Sequence, residues 1–361
     1  MPQTIIFSGS PGSGISIAAA AAALGLATHQ KTLLLSLGSA AGLSALLGSE
    51  LGPQPTHVIN GLDVLVPDPS AELAAAWESL RDKLPNQSAR LAADELPLLP
   101  GSPALFGLLR LPELRKQYQR VVVDAGPAEA LLLALGLPDT FRWLVRLLLG
   151  LDRGPGQNRN SVLNALLPSG FLPPDFVNGF QDTRVTLEQA RTQLISPEVA
   201  CACFVLRPDS AAVAEARLAV PAIQMHGLAV ASLAIGPLDQ SGNIPDSAAA
   251  LWPTRPWIAF PQPSIESLAG LAGIAPALTS CDPEDPIDAP IRDQHNGAPA
   301  LVVDLPGLPK GALGLTLSSD ELIIRLGPYR RHILLPPALR GSSGIRATRE
   351  GDLLIIRRRE G

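Results

Sequence analysis

Through the first three quarters of the chain, apolar residues come in short unbroken runs separated by helical stretches. Residues 4–7, 32–37, 58–66, 121–123, 201–206 and 229–235 are runs of this kind, each read as a strand buried on both faces. Residues 15–26 are nearly all strong helix formers, 71–84 form a helix with Trp77 on its apolar face, and 105–118 form another. Strand, glycine-rich turn, helix and strand in succession open a parallel α/β sheet. The pattern changes after about residue 278. Residues 280–299 are rich in Pro, Asp and Ala without an apolar period and read as a linker. Short alternating strands follow at 301–305, 313–318, 321–326, 331–335 and 353–357. The expected fold class is therefore α/β: a doubly wound, mostly parallel sheet over 1–279, a linker over 280–299, and a small all-β sandwich over 300–361.

Composition narrows the function classes. Apolar residues make up 46 % of the 361 and charged residues 17 %, enough for a large core and against wholesale disorder. A formal charge of -5 offers no general attraction to nucleic acid or anionic membranes, so no nucleic-acid partner is expected. The β-rich tail departs from this balance, with ten Lys and Arg against six Asp and Glu. No basic segment precedes an apolar one at the start, the alanine-rich run at 15–27 is too short to span a bilayer, and Arg142, Arg146 and Arg153 interrupt the leucine-rich run near 144–151. These features predict a cytoplasmic protein with no integral membrane segment. Three cysteines do not make a disulfide framework.

The segment Gly9-Ser10-Pro11-Gly12-Ser13-Gly14-Ile15-Ser16 falls in the register of a phosphate-binding P-loop, G-x-x-x-x-G-K-[ST], between a strand and a helix. In such a loop backbone N–H groups wrap phosphates, the lysine reaches the β and γ oxygens, and the hydroxyl binds magnesium. Gly9, Gly14 and Ser16 are in place, but Ile15 stands at the lysine position, and no Lys or Arg precedes Lys31. Losing one such contact to a transition state costs about 10²–10³ in rate. Two other readings stay open. Gly9, Gly12 and Gly14 also resemble a dinucleotide loop, although Ser36-Leu37-Gly38 lacks the acid or arginine expected after the second strand. A tight strand-to-helix turn that binds nothing would use the same residues.

Several segments in order resemble the ArsA arsenite-pump ATPases and their tail-anchored-protein-targeting relatives. The family loop G-K-G-G-V-G-K-T-T matches Gly9 to Ile17 with both lysines replaced, by Ser10 and Ile15. The first switch, S-T-D-P-A-H-S-L, matches Ser36-Leu37-Gly38-Ser39-Ala40-Ala41-Gly42-Leu43, with Gly38 at the aspartate that would handle the attacking water. The second, V-V-D-T-A-P, matches Val122-Val123-Asp124-Ala125-Gly126-Pro127. Asp68-Pro69 with Trp77, Leu137-Pro138 through Arg142-Trp143, and Phe204-Val205-Leu206-Arg207-Pro208 with Glu215 and Arg217 match further stretches. The family's adenine-contacting asparagine falls at Gly236. In the tail, Leu305-Pro306-Gly307, Gly327-Pro328-Tyr329-Arg330-Arg331 and Ala347-Thr348-Arg349-Glu350-Gly351-Asp352-Leu353 resemble the α-crystallin-like module of small heat-shock proteins. The resemblance implies a P-loop NTPase-type domain followed by that module, and a homodimer.

The losses define the functional expectation. Scaffold positions persist while both lysines, the switch aspartate and the asparagine are gone, so no catalytic residue is assigned. The expected function is a catalytically degenerate ArsA-like protein acting through interactions, with a hydrophobic protein client. Its rivals are a working ATPase of anion transport or membrane-protein targeting, and an NAD(P)-binding enzyme. ATP or ADP with magnesium is the cofactor the loop would take if it still holds phosphate. Candidate binding residues are Gly9, Ser10, Gly12, Ser13, Gly14, Ser16 and Asp124, with Ser16 and Asp124 as candidate magnesium ligands. Asp124 equally suits a cap on the following loop, and the serines equally suit a solvated turn. Apolar groove candidates are 144–151 and 171–180, although only Met1 and Met225 are available for a methionine-rich one. Cys201 and Cys203 share one strand face and read as small core residues, with Cys281 remote. The five histidines show no metal or catalytic spacing, and Arg357-Arg358-Arg359 reads as a solvated strand end or a binding patch.

Overall fold

The computed structural model describes residues 2–81, 92–149, 192, 194–238, 244–263, 267–283, 285–318, 320–341 and 344–359. Its α/β part runs β1 (Thr4–Gly9), α1 (Ile15–Ala27), β2 (Thr32–Ser36), α2 (Ala40–Leu47), β3 (Thr56–Ile59), β4 (Leu62–Leu65), α3 (Pro69–Arg81), α4 (Ser102–Leu109), α5 (Leu111–Gln117), β5 (Arg120–Pro127) and α6 (Ala128–Leu149). It continues with β6 (Ala200–Leu206), α7 (Ser210–Met225), β7 (Val230–Leu238), α8 (Asp246–Ala249), β8 (Trp257–Pro261) and α9 (Leu268–Thr279).

These strands build one eight-stranded sheet in the order β3-β4-β2-β5-β1-β6-β7-β8. All pairings are parallel except that of the edge strand β3 with β4. Alternation along each strand explains the unbroken apolar runs. Ile5, Phe7, Leu34, Cys203 and Val205 face a core shared with α1, α2 and α9, whereas Ile6, Leu33, Leu35, Ala202 and Phe204 face α4 to α7. The alanine run is a packing device rather than a membrane segment. Ala18 to Ala23 are all buried, and α1 packs against α9 over the sheet. Among the described residues no helix is long and apolar enough to cross a membrane.

The remaining strands are β9 (Ile291–His295), β10 (Ala298–Asp304), β11 (Leu313–Ser318), β12 (Glu321–Leu326), β13 (Tyr329–Leu334), β14 (Ile345–Glu350) and β15 (Leu353–Arg358). They form a four-stranded sheet, β14-β15-β10-β9, and a three-stranded one, β11-β12-β13, both antiparallel. This is the all-β part read from the alternation, with β9 lying inside the stretch expected to be linker. The two parts share a core: Leu301, Val303, Ile324 and Leu326 belong to the same buried cluster as α6 and α7. Trp252, 1 % exposed, donates to the Pro306 carbonyl at 3.2 Å, and Arg255 meets Asp304 at 2.8 Å.

Two local expectations are corrected. Residues 58–66 are not one strand but the end of β3, a turn and β4, because Asn60-Gly61 reverses the chain with Gly61 at φ 85°. The helix expected over 105–118 is two, broken at Arg110 with Pro112 in the first turn of α5. The groove candidate 171–180 and the end of 144–151 lie outside the described residues.

Candidate functional site

The glycine loop sits at the C-terminal end of β1, which lies centrally between β5 and β6. In a parallel sheet this is where successive connections diverge to opposite sides and leave a crevice. Gly9 is needed by close approach: a Cβ there would lie 1.8 Å from the Val205 carbonyl oxygen on β6. The Ser10 N–H donates to that oxygen at 2.9 Å. Ser13, fully buried, donates from its hydroxyl to the Ser10 carbonyl at 2.7 Å and the Val205 carbonyl at 3.1 Å. Gly12 and Gly14 take φ of 75° and 74°, the left-handed conformation glycine adopts without strain. No side chain caps the start of α1, so its first-turn N–H groups face the loop unmatched by a side chain, with the helix dipole behind them.

Ile15 does not project from this arrangement. It is 7 % exposed and packs in the core beneath α1, next to Phe7 and the alanines. Ser16, one residue on, is exposed and lies close enough to Asp124 for its hydroxyl to favour the ionised carboxylate. Asp124 lies in the buried part of β5, 3 % exposed, and accepts from the Ser36 hydroxyl at 3.2 Å and the Gly126 N–H at 3.2 Å. Burial holds its carboxyl above the usual carboxylate range, and hydrogen bonds from Ser16, Gly126 and Ser36 offset this only in part. Thus Ser16, Ser36 and Asp124 converge from α1, β2 and β5. Both candidate magnesium ligands are in this group. Ser36 joins them although its sequence context marks it only as the start of the first switch.

The two missing polar groups differ in kind. A Cβ at Gly38 would meet only the Ser36 hydroxyl, at 3.8 Å, so an aspartate would have room. A Cβ at Gly236 would lie 2.7 Å from the Phe260 ring, leaving no space for an asparagine. Phe260 is 1 % exposed and also flanks Gly14.

One cation reaches the loop that sequence spacing did not reveal. Arg207, just past β6, donates from Nη1 to the Pro11 carbonyl at 2.8 Å and from Nε to Asp209 at 2.6 Å. Asp209 in turn accepts from the Ala212 N–H at the start of α7. The available signal was topological: β6 is paired with β1, so residues after both strands meet.

The family of this chain follows from its extent as well as its loop. The model of the anion-transporting ATPase family matches residues 2–239. The chain belongs to this ArsA family. An HSP20-like domain found in ArsA matches residues 296–357, the β-rich module. Chains similar to this ArsA-family member include the Streptomyces coelicolor protein SCO2128, 28 % identical over 98 % of this chain and 96 % of that one. The Mycobacterium tuberculosis protein Rv2184c is 27 % identical over 98 % and 94 %. A Chlorobaculum tepidum protein named "Putative arsenical pump-driving ATPase" is 25 % identical over 63 % of this chain and 59 % of its own length.

Outside the loop, the cysteines need a correction. Cys281 is not remote: its Sγ lies 3.1 Å from that of Cys203, because the turn after α9 brings it into the buried cluster that Cys203 faces. All three thiols are free and buried, and burial pushes the Cys281 thiol well above its ordinary range, which makes it a poor nucleophile. Among the described residues no group of three or more His, Cys, Asp or Glu could hold a metal ion.

Proposed function

We propose that this chain is a catalytically silent ArsA-family protein that works in the cytoplasm through its surfaces, as a protein-interaction or chaperone-like module. Its working unit is the homodimer that the resemblance implies, and its clients are hydrophobic protein segments. The observation that carries this reading is the burial of Ile15: where phosphoryl transfer needs a cation, an aliphatic side chain is part of the core. Gly38 and Gly236 support it, the first lacking an acid and the second lacking space for an amide. Arg207 is not a ready replacement, since it holds a loop carbonyl and is matched by Asp209.

The residues fit magnesium-ATP only in part. The loop amides suit a phosphate, and Asp124 with the Ser16 and Ser36 hydroxyls suits a hydrated divalent ion. At Ser10, Ile15 and Gly236 the chain lacks the charge for a triphosphate and the group expected against the base. A second reading, an ATPase of anion transport or membrane-protein targeting, draws on the retained Asp124 cluster and on Arg207.

Apolar surface is available for clients. Leu98, Leu99 and Leu133 are exposed, and a cavity of about 780 Å³ lies between Leu132, Leu133 and Gly136 of α6 and Pro328 and Tyr329 of the β-rich module. Heat-induced aggregation of an unrelated protein, followed by light scattering, tests the reading. Suppression near equimolar chain, unaltered by magnesium-ATP, is expected. Absence of suppression, or suppression that requires ATP, would sink it.

A further inference from the structure

The β-rich module has four edge strands, β9 and β14 in one sheet and β11 and β13 in the other. Exposed edges invite pairing with other chains, and charged side chains are the usual protection. Three of the four carry it: Arg292 and Asp293 on β9, Arg330 on β13, and Arg346, Arg349 and Glu350 on β14. The fourth, β11, reads Leu-Gly-Leu-Thr-Leu-Ser and carries neither charge nor proline. Among the described residues it pairs only with β12, so its other side presents open N–H and C=O groups. Leu315 and Leu317 are 37 % and 45 % exposed on the face that β12 continues with Leu322 and Ile324.

We propose that β11 pairs antiparallel with β11 of a second copy of this chain, about a two-fold axis through Thr316. The strand is self-complementary in this register. Side chains directly opposite in an antiparallel pair share a face. Centring on Thr316 sets Leu315 against the second copy's Leu317, Leu317 against its Leu315, and Thr316 against itself on the other face. The palindrome Leu315-Thr316-Leu317 therefore matches leucine to leucine at both positions, and no like charges meet. Two three-stranded sheets become one six-stranded sheet, and an isologous contact of this kind closes at two copies. An uncharged residue on the axis suits a two-fold pairing, since a charge at 316 would face its own copy.

Thiol cross-linking of the full chain tests the register, because the three native cysteines are buried. Thr316→Cys puts two thiols at the axis, with Cα atoms about 4.5–5.5 Å apart and within disulfide reach. Mild oxidation is expected to yield a covalent dimer of Thr316→Cys and none of Ser318→Cys, whose copies lie far off the axis. A charge pair supplies the second readout. Leu315→Lys/Leu317→Lys sets lysines opposite lysines and is expected to weaken self-association at least about tenfold in sedimentation. Leu315→Lys/Leu317→Glu sets lysine opposite glutamate and is expected to restore it in a salt-sensitive way. Equal cross-linking at 316 and 318, or association unaltered by the double lysine, would overturn the pairing. So would capture of an apolar peptide on β11 without self-association. None of these outcomes depends on whether the loop turns over ATP.

Discussion

Asp124 is a carboxylate kept at a cost. Burial raises its pKa, so the folded chain binds this proton more tightly than the unfolded chain does. Stability contributed here is present below the ordinary carboxylate value of about 4 and is lost as pH rises through the raised value. Asp124→Asn removes that loss while the amide oxygen still accepts from the Gly126 N–H. In magnesium-free buffer the variant is expected to resist urea better than the parent at pH 7.5, with the gain shrinking toward pH 4. A variant equally or less stable at pH 7.5 would show that the hydrogen bonds outweigh the burial. Asp124 and Ser16 are legible in the sequence, because an acid closing an apolar run and a hydroxyl after a glycine loop are local signals. Arg207 is not, being 196 residues from the carbonyl it holds. The Cys203–Cys281 contact escapes for the same reason, a separation of 78 residues.

At the scale of elements, glycines that look alike in sequence divide into those the packing requires and those it does not. Gly9 lets β1 and β6 approach, and a methyl group there would strike the Val205 carbonyl. Gly9→Ala is expected to cost about 3 kcal/mol or more, since backbone on both sides must move. Gly38 has open space, so Gly38→Ala is expected to change stability by less than about 0.5 kcal/mol. Paired urea denaturation checks both, and equal losses would show that the strand separation does not decide tolerance. The period of apolar residues makes the parallel strands and most of the β-rich module readable from the amino-acid order alone. Boundaries set by turns are what it blurs: Asn60-Gly61 inside an apolar run, Pro112 inside a helical one, and β9 within a proline-rich stretch.

As a whole molecule, the chain fastens its β-rich module to the α/β part instead of tethering it. Asp304 receives Gln224 and Arg255, Arg331 pairs with Asp139, and Trp252 is sealed at the junction. The glycine loop opens at the C-terminal end of the central strand, with Arg207 at its rim. The claim that this loop has lost its hydrolytic purpose is tested most directly by calorimetric titration of the full chain with magnesium-ATP, run alongside phosphate release. No saturable binding below about millimolar and no turnover above buffer are expected. Micromolar binding with turnover, both lost in Arg207→Ala, would contradict the account and make that arginine the missing cation.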